Sequence, residues 1–270
     1  MSLRAQRSNP CCEPKARQSV GAIILASGDS QRMGGIDKMF VPLRGKPLLA
    51  WSVDTCEECS LVDQIVITLN EKNWELGQNL KEERGWDKIT LCLGGARRQD
   101  SVKAGISHLK GCDWVLVHDA ARPFLTSKLV EDGLKMALET GAAVAAVPVK
   151  NTVKLAGDNG LIEETLPRHR LWAAQTPQVF RFNLLTQAYK EPFASCHSER
   201  VSRSPDSERS EEEGEESGNA QGRLEDEVTD DSAALERLGY KVKLYLGDHK
   251  NIKVTTPEDL ALAEIIARNI

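Results

Sequence analysis

From Val20 onward, short apolar runs alternate with longer stretches in which apolar residues recur at helical spacing. The runs at 20–25, 63–69, 88–92, 114–118 and 142–148 read as strands, and the stretches near 47–58, 72–84, 98–109 and 127–139 as helices. Strands separated by helices of this length pair in parallel through right-handed crossovers, with helices covering both faces of the sheet. The expectation is therefore an α/β fold with a mostly parallel twisted sheet and functional residues at the carboxyl ends of strands. A helix near 181–190, another near 230–238, a strand at 241–246 and a helix near 257–269 complete the chain. That last helix opens with Thr256, Pro257, Glu258 and Asp259, which supply an N-cap, an N1 proline and an acidic first turn.

Three segments break the rhythm. Residues 1–19 are rich in Arg, Ser and Pro without apolar periodicity and predict a disordered tail ahead of a single domain spanning 20–270. Between about 149 and 172, two short extended stretches flank Asp158-Asn159-Gly160, a strong hairpin signal, and predict a projecting arm. A two-stranded hairpin is marginal in water, so the arm is expected to pack on a second subunit or fold back on its own domain. Residues 192–227 are dominated by Ser, Glu and Arg and predict a disordered insertion in a surface loop.

Composition narrows the function. The chain has 270 residues, enough for a sizeable core, and a formal net charge of −5, which disfavours a general nucleic-acid partner and leaves room for a local basic pocket. No run approaches the length of a membrane span and the N-terminus lacks a secretory core, so a cytoplasmic protein without a membrane partner is expected. Seven cysteines are odd in number and scattered. Cys56 and Cys59 form one C-x-x-C that closes a helical pattern without a second ligand pair, so the thiols are read as incidental.

Val20–Lys38, VGAIILASGDSQRMGGIDK, joins a buried strand to a turn holding Gly28, Gly34 and Gly35, with Arg32 and Lys38 beside that backbone. Ser30 stands where a dinucleotide fingerprint needs glycine, and no Gly-Lys-Ser/Thr follows at P-loop spacing. What remains is a loop for an anion. A second constellation, Gly94–Ser101, places Gly95, Arg98 and Ser101 where a strand hands over to a helix, suited to a polar base or a phosphate. The third, Trp114–Pro123, delivers His118 and Asp119 at a strand end with Arg122 close behind. Asp119 is a natural ligand for Mg²⁺ carried by substrate phosphates. His118 should point to the other face of its strand and is not assigned as a base. Cations recur at Lys150, Lys154, Arg168, Arg170 and Lys253.

Together ASGDSQRM with Lys38, GGARRQDSV, VLVHDAARP, Pro148–Lys154, LWAAQTPQVF, VTDDSAALE and NIKVTTPEDLALAE resemble the 2-C-methyl-D-erythritol 4-phosphate cytidylyltransferases of the non-mevalonate isoprenoid pathway. The resemblance runs from Val20 to the C-terminus apart from the insertion. It implies a Rossmann-like nucleotidyltransferase sheet, a homodimer made through the arm, and Mg²⁺-assisted attack of the methylerythritol phosphate on the α-phosphorus of the co-substrate CTP, with release of pyrophosphate. By position, Arg32 and Lys38 match the triphosphate-binding and transition-state cations, and Asp119 the metal ligand. Ala26, Ser27, Gly28, Gly95, Ser101 and Ala120 match the cytidine pocket, with Ser30 and Arg98 counted beside them on the CTP side. Arg122, Thr152, Arg168, Thr176 and Lys253 match positions for methylerythritol phosphate, some reaching across the dimer. The chain departs from the family's usual pattern at Ser27, Ser30, Asp37 and Asn151, and Ser30 is expected to cost affinity where glycine is needed for positive φ or for room. Two rival readings are a cytidylyltransferase for another polyol phosphate, such as ribitol 5-phosphate, and a catalytically inactive nucleotide-binding domain.

Overall fold

The computed structural model describes residues 17–28, 37–190 and 230–270. The expectations for the insertion, for residues 1–16 of the tail, and for Ser30 and Arg32 fall outside them. Arg17, Gln18 and Ser19, assigned by sequence to the tail, are tied to the domain: Arg17 pairs with Asp63 at 3.0 Å, Gln18 Oε1 accepts from Trp114 Nε1, and Ser19 N donates to Asp113.

Eleven strands are described, seven of them in one sheet: β1 (Val20–Leu25), β4 (Gln64–Leu69), β5 (Ile89–Leu93), β6 (Trp114–Asp119), β7 (Ala142–Pro148), β10 (Trp172–Arg181) and β11 (Lys243–Leu246). Their order is β11-β7-β10-β6-β1-β4-β5. All neighbouring pairs are parallel except those of β10, which runs antiparallel between β6 and β7. Helices α1 (Leu48–Glu58), α2 (Trp74–Arg84) and α4 (Ser127–Thr140) lie in chain order with α3 (Arg98–His108), α5 (Phe182–Lys190), α6 (Asp231–Arg237) and α7 (Pro257–Ala267).

Alternation along the strands builds two cores. Ala22, Ile24, Trp114 and Leu116 face one side with Val53 of α1, Leu80 of α2 and Val130 of α4. Ile23, Val115 and Val117 face the other with Val102 of α3, Leu185 of α5 and Leu235 of α6. Both faces of the central strands are therefore buried, which is why they read as continuous apolar runs. Local signals fix the helix ends. Thr126 caps α4, which stops at Gly141 with φ 86°, and Thr256 and Asp259 form a reciprocal capping box at the start of α7 behind Pro257.

Two small hairpins stand apart from this sheet. Strands β2 (Pro42–Leu43) and β3 (Lys46–Pro47), not expected from sequence, pack Leu43 with Phe124, Val254 and Ala263 of the α7 region. Strands β8 (Lys154–Ala156) and β9 (Ile162–Thr165) are the expected arm, with every residue exposed. The described cysteines, Cys56, Cys59, Cys92 and Cys112, are buried free thiols, and burial pushes Cys56 up to about 12. It stays protonated and unreactive at neutral pH.

Candidate active site

The parallel strands β6, β1, β4 and β5 lie in that order with their carboxyl ends at one edge, and the segments that follow them deliver residues to one crevice. Beyond β1, Ala26 O accepts from Asn73 Nδ2 at 3.2 Å and Ser27 O from Asn70 Nδ2 at 3.3 Å. These two asparagines also cap the turn after β4 through each other, so one short segment both ends its own strand and holds the next. Ser27 Oγ lies 2.8 Å from Ser101 Oγ, which also accepts from Gly95 N at 3.1 Å. A Cβ on Gly94 would meet Ser27 Oγ at 2.5 Å, so glycine is required for that close approach, whereas one on Gly28 would meet nothing within 4 Å. The space beside Gly28 is open to a ligand.

A cavity of about 560 Å³ occupies this end of the sheet, lined in part by Ser27, Gly28, Lys38, Gly95, Arg98 and Asp119. Lys38 opens a short 3₁₀ turn whose N-cap is Asp37, the side chain accepting from Met39 N at 3.0 Å. The substitution at Asp37 thus provides a cap for the turn that carries the lysine. A second cavity, about 290 Å³, is lined by Arg122, Gln175, Thr176 and Gln178 and shares Arg98, Asp119 and Lys253 with the first.

Asp119 lies on that seam. Its Oδ2 is 2.8 Å from Lys253 Nζ and 4.0 Å from Arg122 Nε, and its Oδ1 is 3.5 Å from Arg98 Nε. Burial alone would raise its pKa, but Lys253, Arg98 and Arg122 outweigh that and hold the carboxyl well below the usual range. It is a carboxylate under all physiological conditions. Burial pulls Arg122 down, opposed by Asp119, while for Arg98 burial is outweighed by Asp231 and Asp119, which drive it up.

Behind the seam, hydrogen bonds fix who donates. His118 Nε2 is 3.0 Å from Arg122 O, an acceptor, so Nε2 carries the ring proton. Its Nδ1, 3.0 Å from Thr176 Oγ1, therefore accepts the Thr176 hydroxyl, which in turn accepts from Asp119 N at 3.1 Å. Burial lowers His118 to about 4, so the ring is neutral, and it lines neither cavity.

Thr176 owes its place to an irregularity. The pairing of β10 with β7 shifts register between Ala174 and Gln178, and the strand contains Pro177, which has no N–H to give. Side chains satisfy the freed carbonyls: Asn251 Nδ2 reaches Thr176 O at 2.7 Å and Tyr245 OH reaches Pro177 O at 3.2 Å. Gln175 Nε2 donates to Asp248 O and Asn251 O, and Arg122 donates to Asn251 O, so the loop carrying Lys253 is bound to β10 on several sides.

Of the residues expected at the site, the structure brings together Ser27, Gly28, Lys38, Gly95, Arg98, Ser101, Asp119, Arg122, Thr176 and Lys253. Ala26 and Ala120 are buried and line neither cavity; Ala121 lines the first instead. Thr152 and Arg168 belong to the arm region, where Arg168 donates to Lys150 O at 2.9 Å, and neither lines the two cavities. Sequence reasoning assigned no role to Asn70, Asn73, Gln175, Asn251 or Asp231. The Asn-x-x-Asn spacing after β4 was the one local signal among them.

The model of one protein family, 2-C-methyl-D-erythritol 4-phosphate cytidylyltransferase, matches residues 20–204 and 211–269. A 2-C-methyl-D-erythritol 4-phosphate cytidylyltransferase of Dehalococcoides mccartyi is 40% identical over 252 residues, covering 93% of this chain and 97% of the relative. One of Caldanaerobacter subterraneus is 37% identical, covering 93% and 99%. Among solved structures, a 4-diphosphocytidyl-2C-methyl-D-erythritol synthase from Anaerococcus prevotii superposes with a TM-score of 0.73 at 25% identity over 93% of this chain and 96% of that one. The Thermus thermophilus cytidylyltransferase superposes at 0.65 with 27% identity, over 93% and 100%. The chain belongs to the 2-C-methyl-D-erythritol 4-phosphate cytidylyltransferase family.

Proposed function

We propose that this chain transfers a cytidylyl group from CTP to 2-C-methyl-D-erythritol 4-phosphate, giving 4-diphosphocytidyl-2-C-methyl-D-erythritol and pyrophosphate for isoprenoid precursor synthesis. The observation that carries the reading is the shared seam: two cavities of unequal size meet at Asp119, Arg98 and Lys253. The larger suits a nucleoside triphosphate and the smaller a short phosphorylated polyol. An acceptor phosphate oxygen then attacks the α-phosphorus in line as the bond to the β-phosphate breaks. Little covalent chemistry falls to the protein, which supplies position and positive charge.

In this reading Lys38, with Arg32, steadies the triphosphate and the charge that develops on it. Ser27, Gly28, Gly95 and Ser101 hold the cytidine end through small side chains and backbone. Arg122, Thr176 and Lys253 orient the acceptor. Among the described residues no cluster of three acidic, histidine or cysteine side chains forms a metal cage. A single ionised carboxylate beside a triphosphate cavity suits Mg²⁺, which takes one or two carboxylates and keeps its other positions for phosphate and water. Asp119 would hold the ion, which would draw charge from the phosphate oxygens.

The arm supports a homodimer. Leu155, Leu161, Ile162 and Trp172 are exposed on or beside it, and Leu244 and Leu246 are exposed on edge strand β11. Thr152 and Arg168 would then reach a partner's acceptor cavity. The unit 20–270 acts as one cytidylyltransferase domain. No helix among the described residues is long and apolar enough to cross a membrane, and the reading places the enzyme in the cytoplasm.

Pyrophosphate release from purified protein with CTP and Mg²⁺, measured with each polyol phosphate, tests the assignment. Fastest turnover with methylerythritol phosphate, abolished by Lys38→Ala, is expected. A preference for ribitol 5-phosphate, or CTP binding without turnover, would overturn it.

A further inference from the structure

Behind Arg98, outside both cavities, sits a carboxylate with no exposure to solvent. Asp231, the first residue of α6, is wholly buried and accepts from Arg98 through Oδ2 at 2.7 Å. Its Oδ1 accepts the Tyr189 hydroxyl at 2.5 Å, and its backbone N–H donates to Gln178 Oε1 at 3.1 Å. With both oxygens engaged and the backbone tied, the carboxylate has one orientation. The other side of the guanidinium faces Asp119, but at 3.5 Å, too far for a good hydrogen bond.

A buried ion pair that merely joins α3 to α6 is weak evidence for anything beyond architecture. Its location says more. Arg98 lines both cavities, and Asp119 is the carboxylate that it meets there. Arg122 and Lys253 approach the same carboxylate. Were Asp231 uncharged, Arg98 would turn to Asp119, because an arginine facing a carboxylate settles into a paired, charge-assisted contact. That would occupy Asp119 Oδ1 and commit the guanidinium to that carboxylate instead of leaving it available to a phosphate.

We propose that Asp231, held by Tyr189 and Gln178, is a positioning residue that keeps the Arg98 guanidinium on the seam, facing the phosphoryl group in transfer and off the Asp119 carboxylate. The inference rests on the cytidylyl-transfer reading for its kinetic arm, and has a second arm, Mn²⁺ binding with CTP, that requires no turnover.

Asp231→Asn keeps the shape and removes the charge, while Tyr189→Phe removes one hydrogen bond. In full-length protein, Asp231→Asn is expected to lower kcat about tenfold with the acceptor KM within about threefold, as for a group felt chiefly in the transition state. Tyr189→Phe is expected to lower kcat about threefold. Mn²⁺ titrated into the protein with CTP and read by electron paramagnetic resonance should bind more weakly in Asp231→Asn, where Arg98 turns to Asp119, and to a smaller degree in Tyr189→Phe, where the Asp231 carboxylate loses the bond that orients it. Unchanged kcat or unchanged Mn²⁺ affinity in Asp231→Asn, accompanied only by a lower Tm, overturns the proposal. Should that variant not fold, the same two readings on Tyr189→Phe decide. If wild-type protein transfers no cytidylyl group to any acceptor, the functional reading fails, and the Mn²⁺ comparison alone settles the role of Asp231.

Discussion

The Lys253 ammonium lies 2.8 Å from Asp119 Oδ2, closer than either arginine that shares this carboxylate. Lys253→Ala should lower kcat/KM for the acceptor about 100-fold, in line with loss of a charge-assisted hydrogen bond. The KM for CTP should move less than about threefold, since Arg98 and Arg122 keep Asp119 ionised. Steady-state kinetics with each substrate varied in turn checks both halves.

Thr176 serves two buried partners through one hydroxyl, accepting from Asp119 N and donating to His118 Nδ1. Thr176→Val strands both, and an unmet buried polar group costs about 1–3 kcal/mol. We expect a loss of about 3 kcal/mol on that basis, against less than about 1 for Thr176→Ser. Urea unfolding of the two variants gives the comparison.

Two glycines near the first cavity should respond in opposite ways. Gly94→Ala drives a methyl between Ser27 and Ser101, whose hydroxyls stand 2.8 Å apart, and is expected to lower both Tm and CTP affinity. Gly28→Ala projects into open space, so Tm should hold while CTP affinity falls. Thermal melts beside calorimetric CTP titrations separate these outcomes.

Asp54, remote from the site, gives a clean pH test. Burial would raise its pKa, but Lys46 at 2.5 Å, Trp86 Nε1 at 2.7 Å and Arg84 together lower it. A carboxyl with a depressed folded value stabilises the fold above its unfolded value, about 3.9, and that contribution is lost as pH falls through the folded one. Asp54→Asn should therefore be less stable than wild type at pH 7, with the gap closing below pH ~4. Denaturant titrations of both proteins from pH 7 to 3 measure it.

The arm presents Ile162 at 63% exposure and Leu161 at 67%. If these apolar groups are covered in a homodimer, Ile162→Asp should shift sedimentation toward a monomer and reduce turnover through loss of Thr152 and Arg168 from the partner's cavity. A wild-type monomer at working concentration would count against the arm's assigned role.

Strands β1, β4 and β6 were legible because they are buried on both faces and separated by helices, so periodicity alone marks them. Sequence also placed Asp119 at the crevice, since a residue at a strand end needs only local context. Strand β10 was not legible: Pro177 argues against a central strand, and its pairing depends on a register shift that no local pattern encodes. The polar residues that tie Lys253 to Thr176 were equally hidden. Gln175 and Asn251 look like ordinary loop polars until tertiary structure makes each the donor for the other's neighbourhood. Asp231 stood inside a recognised motif, yet nothing in its sequence neighbours points to Arg98.

Lys253 follows every other residue of the seam in the chain, and the ladder that seats its loop needs β11 beside β7. During synthesis the strands from β1 to β10 emerge with Asp119 already among them, while its closest counter-charge is still unmade. Domains fold as their residues leave the ribosome, at about 5–20 residues per second. The nascent chain can therefore assemble most of its sheet before Lys253 arrives to complete the charge cluster around Asp119.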